Sequence, residues 1–404
     1  MFKVKGKLPG ITAEVAGANA LLSWIVMMLL SVPLAYTFAS LARDYPNAAG
    51  VSWFAERAFG KLVGALIGWF YVAAAAVGQF IVALTGGSYV AYAFGLPRWG
   101  AFLIAFLLLV GAVTSNVFGL RTSGKVQLAV SGLVVAVLVV VIVAGISRTH
   151  VANLVPSEPL QHLRTVGTGC MMIFWSFFGW EAITSLAPEF RDARRDIVRA
   201  TWGGLIVVGV LYIGIATVVI GTHAYTAGAT AAQQAMNSAA LAHVLGLGMG
   251  RIGEAATAML ALVICIGTTN AFVASVSRLA YALSETGTAP SWLRHMNKYA
   301  APGRAVILVG GIAVMGLMVT YLCHLSLAAL VYVPNSLGIA TYVIGTAVGV
   351  RLLTTVRSKF GAVTACLLCL CAYPFVGTAL SIPLLVAACC LTYLGLRKWR
   401  RVNR

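Results

Sequence analysis

Charged residues are scarce in this chain, and acidic residues are scarcer still. Only 9% of its 404 residues are Asp, Glu, Lys or Arg, whereas 60% belong to the apolar set. A soluble domain carries about 25% charged residues, because a folded surface needs polar cover. The composition therefore excludes a water-soluble globular protein and predicts an integral membrane protein built of transmembrane helices.

The shortage of acids leaves a large positive balance. Ten Asp and Glu face 28 Lys and Arg, which gives a formal net charge of +18. Such an excess can indicate nucleic-acid binding. Here, however, the basic residues stand in short clusters between apolar runs, as topology signals do in membrane proteins. We therefore predict no nucleic-acid partner, and membrane lipid as the surroundings of the chain.

Groups of metal ligands are also lacking. The eight cysteines lie in or beside apolar runs, and the closest three, Cys366, Cys369 and Cys371, have no His or acid nearby. We interpret them as small packing residues. His223 and His243 fall in the longest outer loop, 223–250, where solvated histidines are a better interpretation than a metal pair.

Patterns of enzymatic chemistry are absent from the loops. We find no phosphate-binding loop, no Ser–His–Asp arrangement and no zinc-protease motif. Residues 1–10 contain three lysines and no apolar core, so they do not resemble a cleavable signal peptide. The sequence predicts a protein that is not an enzyme and has no cofactor.

What the chain has in abundance is long apolar runs. A membrane-crossing helix needs about 20 mostly apolar residues, and eleven runs fit this size or approach it. They are 21–42, 62–94, 99–118, 126–146, 167–187, 202–222, 255–283, 305–323, 326–350, 360–380 and 382–396. The second and seventh exceed one perpendicular crossing, so these helices should tilt or extend into water.

The basic residues also indicate an orientation. If the loop 43–61 is cytoplasmic, 21 of the 28 Lys and Arg fall inside, and four fall outside: Arg98, Arg148, Arg164 and Arg251. The remaining three are Lys3, Lys5 and Lys7 at the start of the chain. This positive-inside bias predicts a cytoplasmic C-terminus.

One ionisable residue stands within an apolar run. The stretch Trp175–Glu181 reads Trp-Ser-Phe-Phe-Gly-Trp-Glu. A carboxylate at this depth costs about 3 kcal/mol on insertion scales and indicates a functional site, although Glu181 could instead be a structural group bonded to a Tyr or Ser. Gly179 weakens the helix, and an unwound helix exposes backbone N–H and C=O groups to a polar ligand.

Two further motifs accompany this stretch. Leu186–Asp192 reads Leu-Ala-Pro-Glu-Phe-Arg-Asp, and Arg43–Val51 reads Arg-Asp-Tyr-Pro-Asn-Ala-Ala-Gly-Val. Together and in order, the three motifs resemble the sixth helix and two loops of the amino acid–polyamine–organocation (APC) superfamily of transporters. The resemblance is greatest to the amino-acid efflux branch, which includes a bacterial exporter of methionine and branched-chain amino acids. It covers about residues 8–350.

The resemblance implies a fold class. The fold is an all-α polytopic membrane protein with a LeuT-like 5+5 inverted repeat, here about 11 full spans plus the remnant of a broken first helix. One transmembrane domain, 1–404, would then comprise a helix-1 remnant (1–20), the rest of the first repeat (21–146), the second repeat (167–350) and two additional helices (360–396). The amino acid binds near the midplane between the broken first and sixth helices, where helix ends favour its charged groups.

The resemblance also implies site residues. Trp175 and Phe178 would contact the substrate side chain, Gly179 would mark the break, and Glu181 would be a gate or a proton-sensitive group. The complete set of expected substrate-binding residues is Trp175, Phe177, Phe178, Gly179, Trp180, Glu181, Gln79, Asn270 and Asn335. For Gln79, a structural hydrogen bond to a neighbouring helix is an equally good interpretation.

The chain departs from the family at its start. Phe2-Lys3-Val4 stands where the family has a Gly-small-Gly break, and the helix half before it is missing. Lys3, Lys5 and Lys7 would begin near the bilayer centre, at about 2.5–3.5 kcal/mol each. Either the stated start lies downstream of the real one, or this is a real short form. The first interpretation explains more; it predicts transport by an upstream-extended form and none by the 404-residue form.

The leading hypothesis is a secondary transporter of neutral, apolar L-amino acids (the methionine, leucine, isoleucine and valine class). It would export them with proton coupling across the bacterial cytoplasmic membrane. The scarcity of intramembrane acids argues against cationic substrates. An importer or exchanger and a non-transporting accessory or degenerate protein stay open as alternatives. The sequence does not indicate the oligomeric state, and a homodimer is compatible with it.

Overall fold

A computed structural model of the chain describes residues 8–46, 50–119, 124–156, 163–187, 190, 192–226 and 236–402. Over these residues the regular structure is entirely helical. The α-helices are α1 (Leu8–Ala16), α2 (Asn19–Asp44), α3 (Gly50–Phe59), α4 (Lys61–Phe94), α5 (Arg98–Val117), α6 (Gly124–Ile146), α7 (Leu163–Phe177), α8 (Ala182–Leu186), α9 (Ala193–Gly221), α10 (Ala240–Glu285), α11 (Gly303–Leu322), α12 (Leu327–Leu352), α13 (Val356–Ala372) and α14 (Ser381–Val402).

Ten segments of the described chain are long and apolar enough to cross a membrane. Nine of them each overlap one predicted run. The tenth, Val356–Arg397, contains the last two runs, because only the 3-10 helix Tyr373–Leu380 separates α13 from α14. Gly377, at φ +63°, turns the chain there. The all-α polytopic fold is therefore confirmed, while its division into two repeats at 21–146 and 167–350 stays a prediction.

Several helices begin at a side chain that accepts a hydrogen bond from the first turn. Asp192 accepts from the Arg195 amide at 3.2 Å and begins α9, ten residues before the apolar run starts. Ser326 does the same for the Ala329 amide at 3.2 Å and begins α12. Such caps satisfy amides that have no partner within the helix. The Asp192 cap explains why α9 begins well before its apolar run.

One expectation about the outer loop is wrong. Residues 240–249, which we predicted as polar loop, form the first turns of α10, and only Gly250 departs from helical geometry (φ 57°, ψ −147°). Glycines in this segment lower its helix propensity, but Ala240 and Val244 are buried in a cluster with α4, α6 and α9, which overrides propensity. His243 is consequently half-buried, and its Nδ1 lies 2.8 Å from the Tyr92 hydroxyl.

Helix α4 is central, whereas α6 is peripheral. In the most apolar window of each, 72% of residues are buried inside the protein in α4 and 22% in α6. Small residues make close packing around α4 feasible, as at many helix interfaces in membranes. A Cβ at Gly68 would lie 2.6 Å from Leu283 of α10, and a Cβ at Gly78 would overlap the Trp175 ring of α7. This helix thus brings α7 and α10 together.

The beginning of the described chain packs on α7. In α1, Thr12 and Ala13 are fully buried, and a Cβ at Gly169 of α7 would contact both Ser23 and Thr12. Some residues of the predicted motifs lie outside the described residues: Lys3, Lys5, Lys7, Asn47, Ala48, Ala49, Pro188, Glu189 and Arg191.

Candidate functional site

The helix that carries the Trp175–Glu181 stretch is interrupted. Helix α7 ends at Phe177, α8 begins at Ala182, and the four residues between them form turns. Gly179 lies in the interruption with φ +128°, a backbone conformation that L side chains rarely adopt. The interruption falls at the glycine where we expected it, and it leaves backbone groups without their helical partners.

A tyrosine hydroxyl from α12 fills this interruption. The Tyr342 hydroxyl accepts hydrogen bonds from the Gly179 amide at 2.8 Å and the Trp180 amide at 3.1 Å. It donates to the Phe177 carbonyl at 3.2 Å. One side chain thus binds the donors and the acceptor that a polar ligand of an unwound helix would use.

Glu181 also bonds to the backbone of the interruption. Its Oε2 accepts from the Gly179 amide at 3.1 Å, and its backbone carbonyl accepts from the Thr184 hydroxyl at 2.6 Å. The side chain is only 3% exposed. Its Oε1 has no hydrogen-bond partner among the described residues, although the Tyr71 side chain lies close enough to interact with the carboxyl group. Buried polar atoms normally have partners, and the Tyr71 side chain is the neighbouring group placed to supply one.

Aromatic rings form a wall beside the carboxyl group. The rings of Phe178, Trp175 and Phe272 form a continuous stack, which we call the aromatic stack. The Trp175 ring lies 5.4 Å from that of Phe178 at 17° and 6.0 Å from that of Phe272 at 15°. Tyr71 and Tyr342 approach Phe178 at 5.5 Å and 5.1 Å. This arrangement offers flat apolar surface next to the polar groups of the interruption.

Two other predicted residues of the stretch face elsewhere. Phe177 is 1% exposed, and its ring packs against Trp24 of α2 at 5.9 Å and Tyr212 of α9 at 5.0 Å. Trp180 contributes its backbone amide to the interruption. Both stay predictions as substrate contacts, but neither belongs to the aromatic stack.

The three predicted amides each join two helices. Asn335 of α12 donates to the Met171 carbonyl of α7, and Gln79 of α4 donates to the Val309 carbonyl of α11 at 2.9 Å. Asn270 of α10 accepts from the Asn116 side chain of α5 at 2.8 Å. Hydrogen bonds of this kind hold membrane helices together. For Gln79, this is the structural alternative that the sequence left open.

Comparisons with known proteins identify the family of the chain. Residues 5–393 match the family model described as amino acid permease. The chain belongs to the amino acid permease family. It is therefore a multi-pass membrane protein of an amino acid transporter family within the APC superfamily, and the resemblance found in its motifs is confirmed.

Three relatives illustrate the range of the family. The chain is 32% identical to the uncharacterized amino acid permease YecA of Bacillus subtilis, over 96% of this chain and 90% of the relative. It is 29% identical to the L-methionine/branched-chain amino acid exporter YjeH of Escherichia coli, over 92% and 86%. It is 25% identical to the branched-chain amino acid permease BcaP of Lactococcus lactis, over 76% and 70%.

The sequence did not single out three groups at this permease's interruption: Tyr342, Tyr71 and Phe272. Two of them could have been identified from their helical spacing to a predicted residue. Tyr342 follows Asn335 by seven residues and Tyr71 precedes Gly78 by seven, so each shares a helix face with a residue of interest. Phe272 had no such signal, because it lies two residues from Asn270 and thus on another face of α10.

Chemically, the site combines one carboxyl group with backbone donors and aromatic surface. Among the described residues, no group of three or more His, Cys, Asp or Glu is placed to hold a metal ion. The polar groups suit the ammonium and carboxylate of an amino acid, and the aromatic stack suits an apolar side chain.

Proposed function

We propose that this permease exports neutral, apolar amino acids of the methionine, leucine, isoleucine and valine class, and that it binds them at the interruption between α7 and α8. One observation carries the proposal: the aromatic stack of Phe178, Trp175 and Phe272 lies beside the non-helical backbone of the interruption, where Glu181 bonds to the Gly179 amide. A pocket with apolar walls and few oriented polar groups selects for an apolar side chain.

The charge of the site supports neutral substrates. Glu181 is the only Asp or Glu that is buried among the described residues. A cationic side chain would require an acid of its own in addition to the one near the substrate ammonium. The aromatic walls provide contact area instead, at about 0.5–1.5 kcal/mol per favourable ring pair beyond area burial.

We assign roles to the predicted residues accordingly. Trp175 and Phe178 contact the side chain of the substrate, and the Gly179 and Trp180 amides bind a polar end of the substrate when Tyr342 leaves them. Glu181 takes up and releases the proton that drives transport, because its ionised form is costly at this depth. Gln79, Asn270 and Asn335 shape the site from neighbouring helices.

The direction of transport and the orientation in the membrane are supported by a relative and by the distribution of basic residues. Outward transport is supported by the relative YjeH, which is named as an exporter. The concentration of basic residues in one set of loops supports a cytoplasmic C-terminus in the bacterial cytoplasmic membrane.

Export of labelled methionine or leucine from loaded cells tests the substrate and the direction. Cells that express the upstream-extended form should lose label faster than cells with an empty vector, and lysine release should be equal in the two. Equal loss of methionine and leucine in both would refute the proposal.

The Glu181→Gln variant tests the proton coupling. In proteoliposomes, its transport should no longer depend on pH, whereas the wild type should respond to an imposed pH gradient. Glu254→Gln is the matched control, since Glu254 interacts with Tyr92 at the end of α4, away from the interruption. A pH response that survives Glu181→Gln would contradict the assigned role.

A further inference from the structure

A narrow groove lies between α5 and α11, away from the substrate site. Its volume is about 270 Å³, and its walls are almost entirely apolar. The lining includes Trp99, Phe102 and Phe106 from α5, and Val314, Met318 and Tyr321 from α11. Trp99 is 58% exposed and Met318 is 53% exposed, so the groove opens on the outer surface of the helix bundle.

The groove extends through about two-thirds of the hydrocarbon depth of one lipid leaflet. Helix α5 begins at Arg98 and α11 ends at Leu322, so the two helices are antiparallel and meet the same membrane–water interface. From Trp99 to Phe106 the helix rises about 10 Å, against about 15 Å for half of the hydrocarbon core. The groove thus runs from the interface into a single leaflet.

A fixed cation stands at the interfacial end of the groove. Arg98 donates to the carbonyls of Tyr321 and Thr320 at 3.1 Å and 3.2 Å, and to His324 Nδ1 at 2.9 Å. Its guanidinium lies 5.0 Å from the ring centroids of Phe102 and Tyr321. Among the described residues, no carboxylate forms an ion pair with it. Its charge is therefore held in place and open to an anion from the interface.

We propose that this groove binds an anionic phospholipid, with one acyl chain between α5 and α11 and the phosphate at Arg98. The apolar lining matches the chain, and the guanidinium matches the phosphate in charge and in hydrogen-bonding geometry. Trp99 and Tyr321 lie where aromatic side chains meet headgroups in membrane proteins. The proposal does not depend on which amino acid the permease carries.

A second copy of the chain fits this groove less well. Two copies in one bilayer are related by an axis along the membrane normal, so identical residues meet at the same depth. The two Arg98 guanidinium groups would then approach each other at the interface, and like charges repel. A lipid phosphate supplies the opposite charge instead.

Quenching of Trp99 fluorescence by brominated lipids tests the proposal. The full chain is placed in nanodiscs of zwitterionic phospholipid that contain a small, equal fraction of either acyl-brominated phosphatidylglycerol or acyl-brominated phosphatidylethanolamine. The contribution of Trp99 is the difference between the wild type and Trp99→Phe. We expect Trp99 to favour the anionic quencher by about fivefold, from the attraction of one basic side chain.

Three arginine variants separate charge from structure. Arg98→Gln should abolish the preference for the anionic lipid, while Arg98→Lys should retain most of it. Arg251→Gln should leave it unchanged, because Arg251 is exposed and is not among the residues that line the groove. Equal quenching by both lipids in the wild type would overturn the proposal, as would a preference that survives in correctly folded Arg98→Gln. Trp99 protected from both quenchers, in a dimeric protein, would assign the groove to a second copy.

Discussion

Gly179 and Gly250 both interrupt helical geometry within apolar segments of this permease, and their surroundings differ. Gly179, at φ +128°, lies between α7 and α8 against Tyr342 and Glu181. Gly250, at φ +57°, lies in α10 on the exposed surface, and a Cβ there would meet nothing within 4 Å. A glycine with a positive φ angle is thus enclosed by protein at Gly179 and exposed at Gly250.

The two interruptions differ in the hydrogen-bond partners of their backbone N–H and C=O groups. Away from water, every unpaired N–H and C=O group costs several kcal/mol, so an interruption inside the protein needs side-chain partners. At the first interruption, the Tyr342 hydroxyl and the Glu181 carboxylate are those partners. Partners that are side chains can move away, and a ligand can then take their place. At Gly250, which is exposed, we expect no exchange of this kind between side chains and a ligand.

The largest effect on transport is expected when alanine replaces Gly179, and the same change at Gly250 is its control. Gly179→Ala and Gly250→Ala both force an alanine into a glycine conformation, at about 1–3 kcal/mol. Transport should fall about a hundredfold only in Gly179→Ala, since small displacements in a site have effects of that size. Uptake and release assays in proteoliposomes measure transport, and thermal unfolding in detergent measures stability. Comparable loss of transport in Gly250→Ala would break the comparison.

Removing the hydroxyl that fills the interruption should have the next largest effect. Tyr342→Phe leaves the Trp180 amide without its side-chain partner, which costs about 1–3 kcal/mol. Transport should drop about tenfold, the equivalent of 1.4 kcal/mol. Tyr281→Phe is the control, because its exposed hydroxyl donates to the nearby Glu285 at 2.9 Å, away from the interruption. Unchanged transport and unchanged melting in Tyr342→Phe would show that the hydroxyl is dispensable.

A smaller effect should follow from crowding the aromatic stack. A Cβ at Gly78 would overlap the Trp175 ring, and overpacking costs about 1–3 kcal/mol. Gly78→Ala should therefore raise the KM for methionine several-fold as the ring moves. Gly111→Ala on α5 meets nothing within 4 Å and should leave the KM as it is. An unaltered KM in both would remove Trp175 from the substrate contacts.

The smallest effect belongs to the neighbourhood of the exposed interruption. Tyr92→Phe deletes the hydroxyl that lies 2.8 Å from His243 Nδ1 and 3.4 Å from Glu254 Oε1. We expect about 1 kcal/mol less stability, seen as a slightly lower melting temperature, and normal transport. A transport loss as large as that of Tyr342→Phe would mean that the two interruptions are functionally equivalent.

Local chemistry and the resemblance of the motif together predicted the interruption. A glycine and an acid in the middle of an apolar run are both costly in lipid, so Gly179 and Glu181 could be identified without any knowledge of their neighbours. The apolar runs likewise marked the membrane-crossing helices. The helical segment 240–249 could not be identified in this way, because burial of Ala240 and Val244 by other helices outweighs its glycines.

The sequence by itself determined that this chain is a membrane protein, which segments cross the bilayer, and which helix is interrupted. It could do so because hydropathy and helix propensity act over a few neighbouring residues. Only the tertiary structure decided which groups meet at the break. Tyr342 lies more than 160 positions from Gly179, and the partners of Gln79 and Asn335 are carbonyls of other helices. Such contacts depend on the rotation and packing of whole helices, which no local pattern contains.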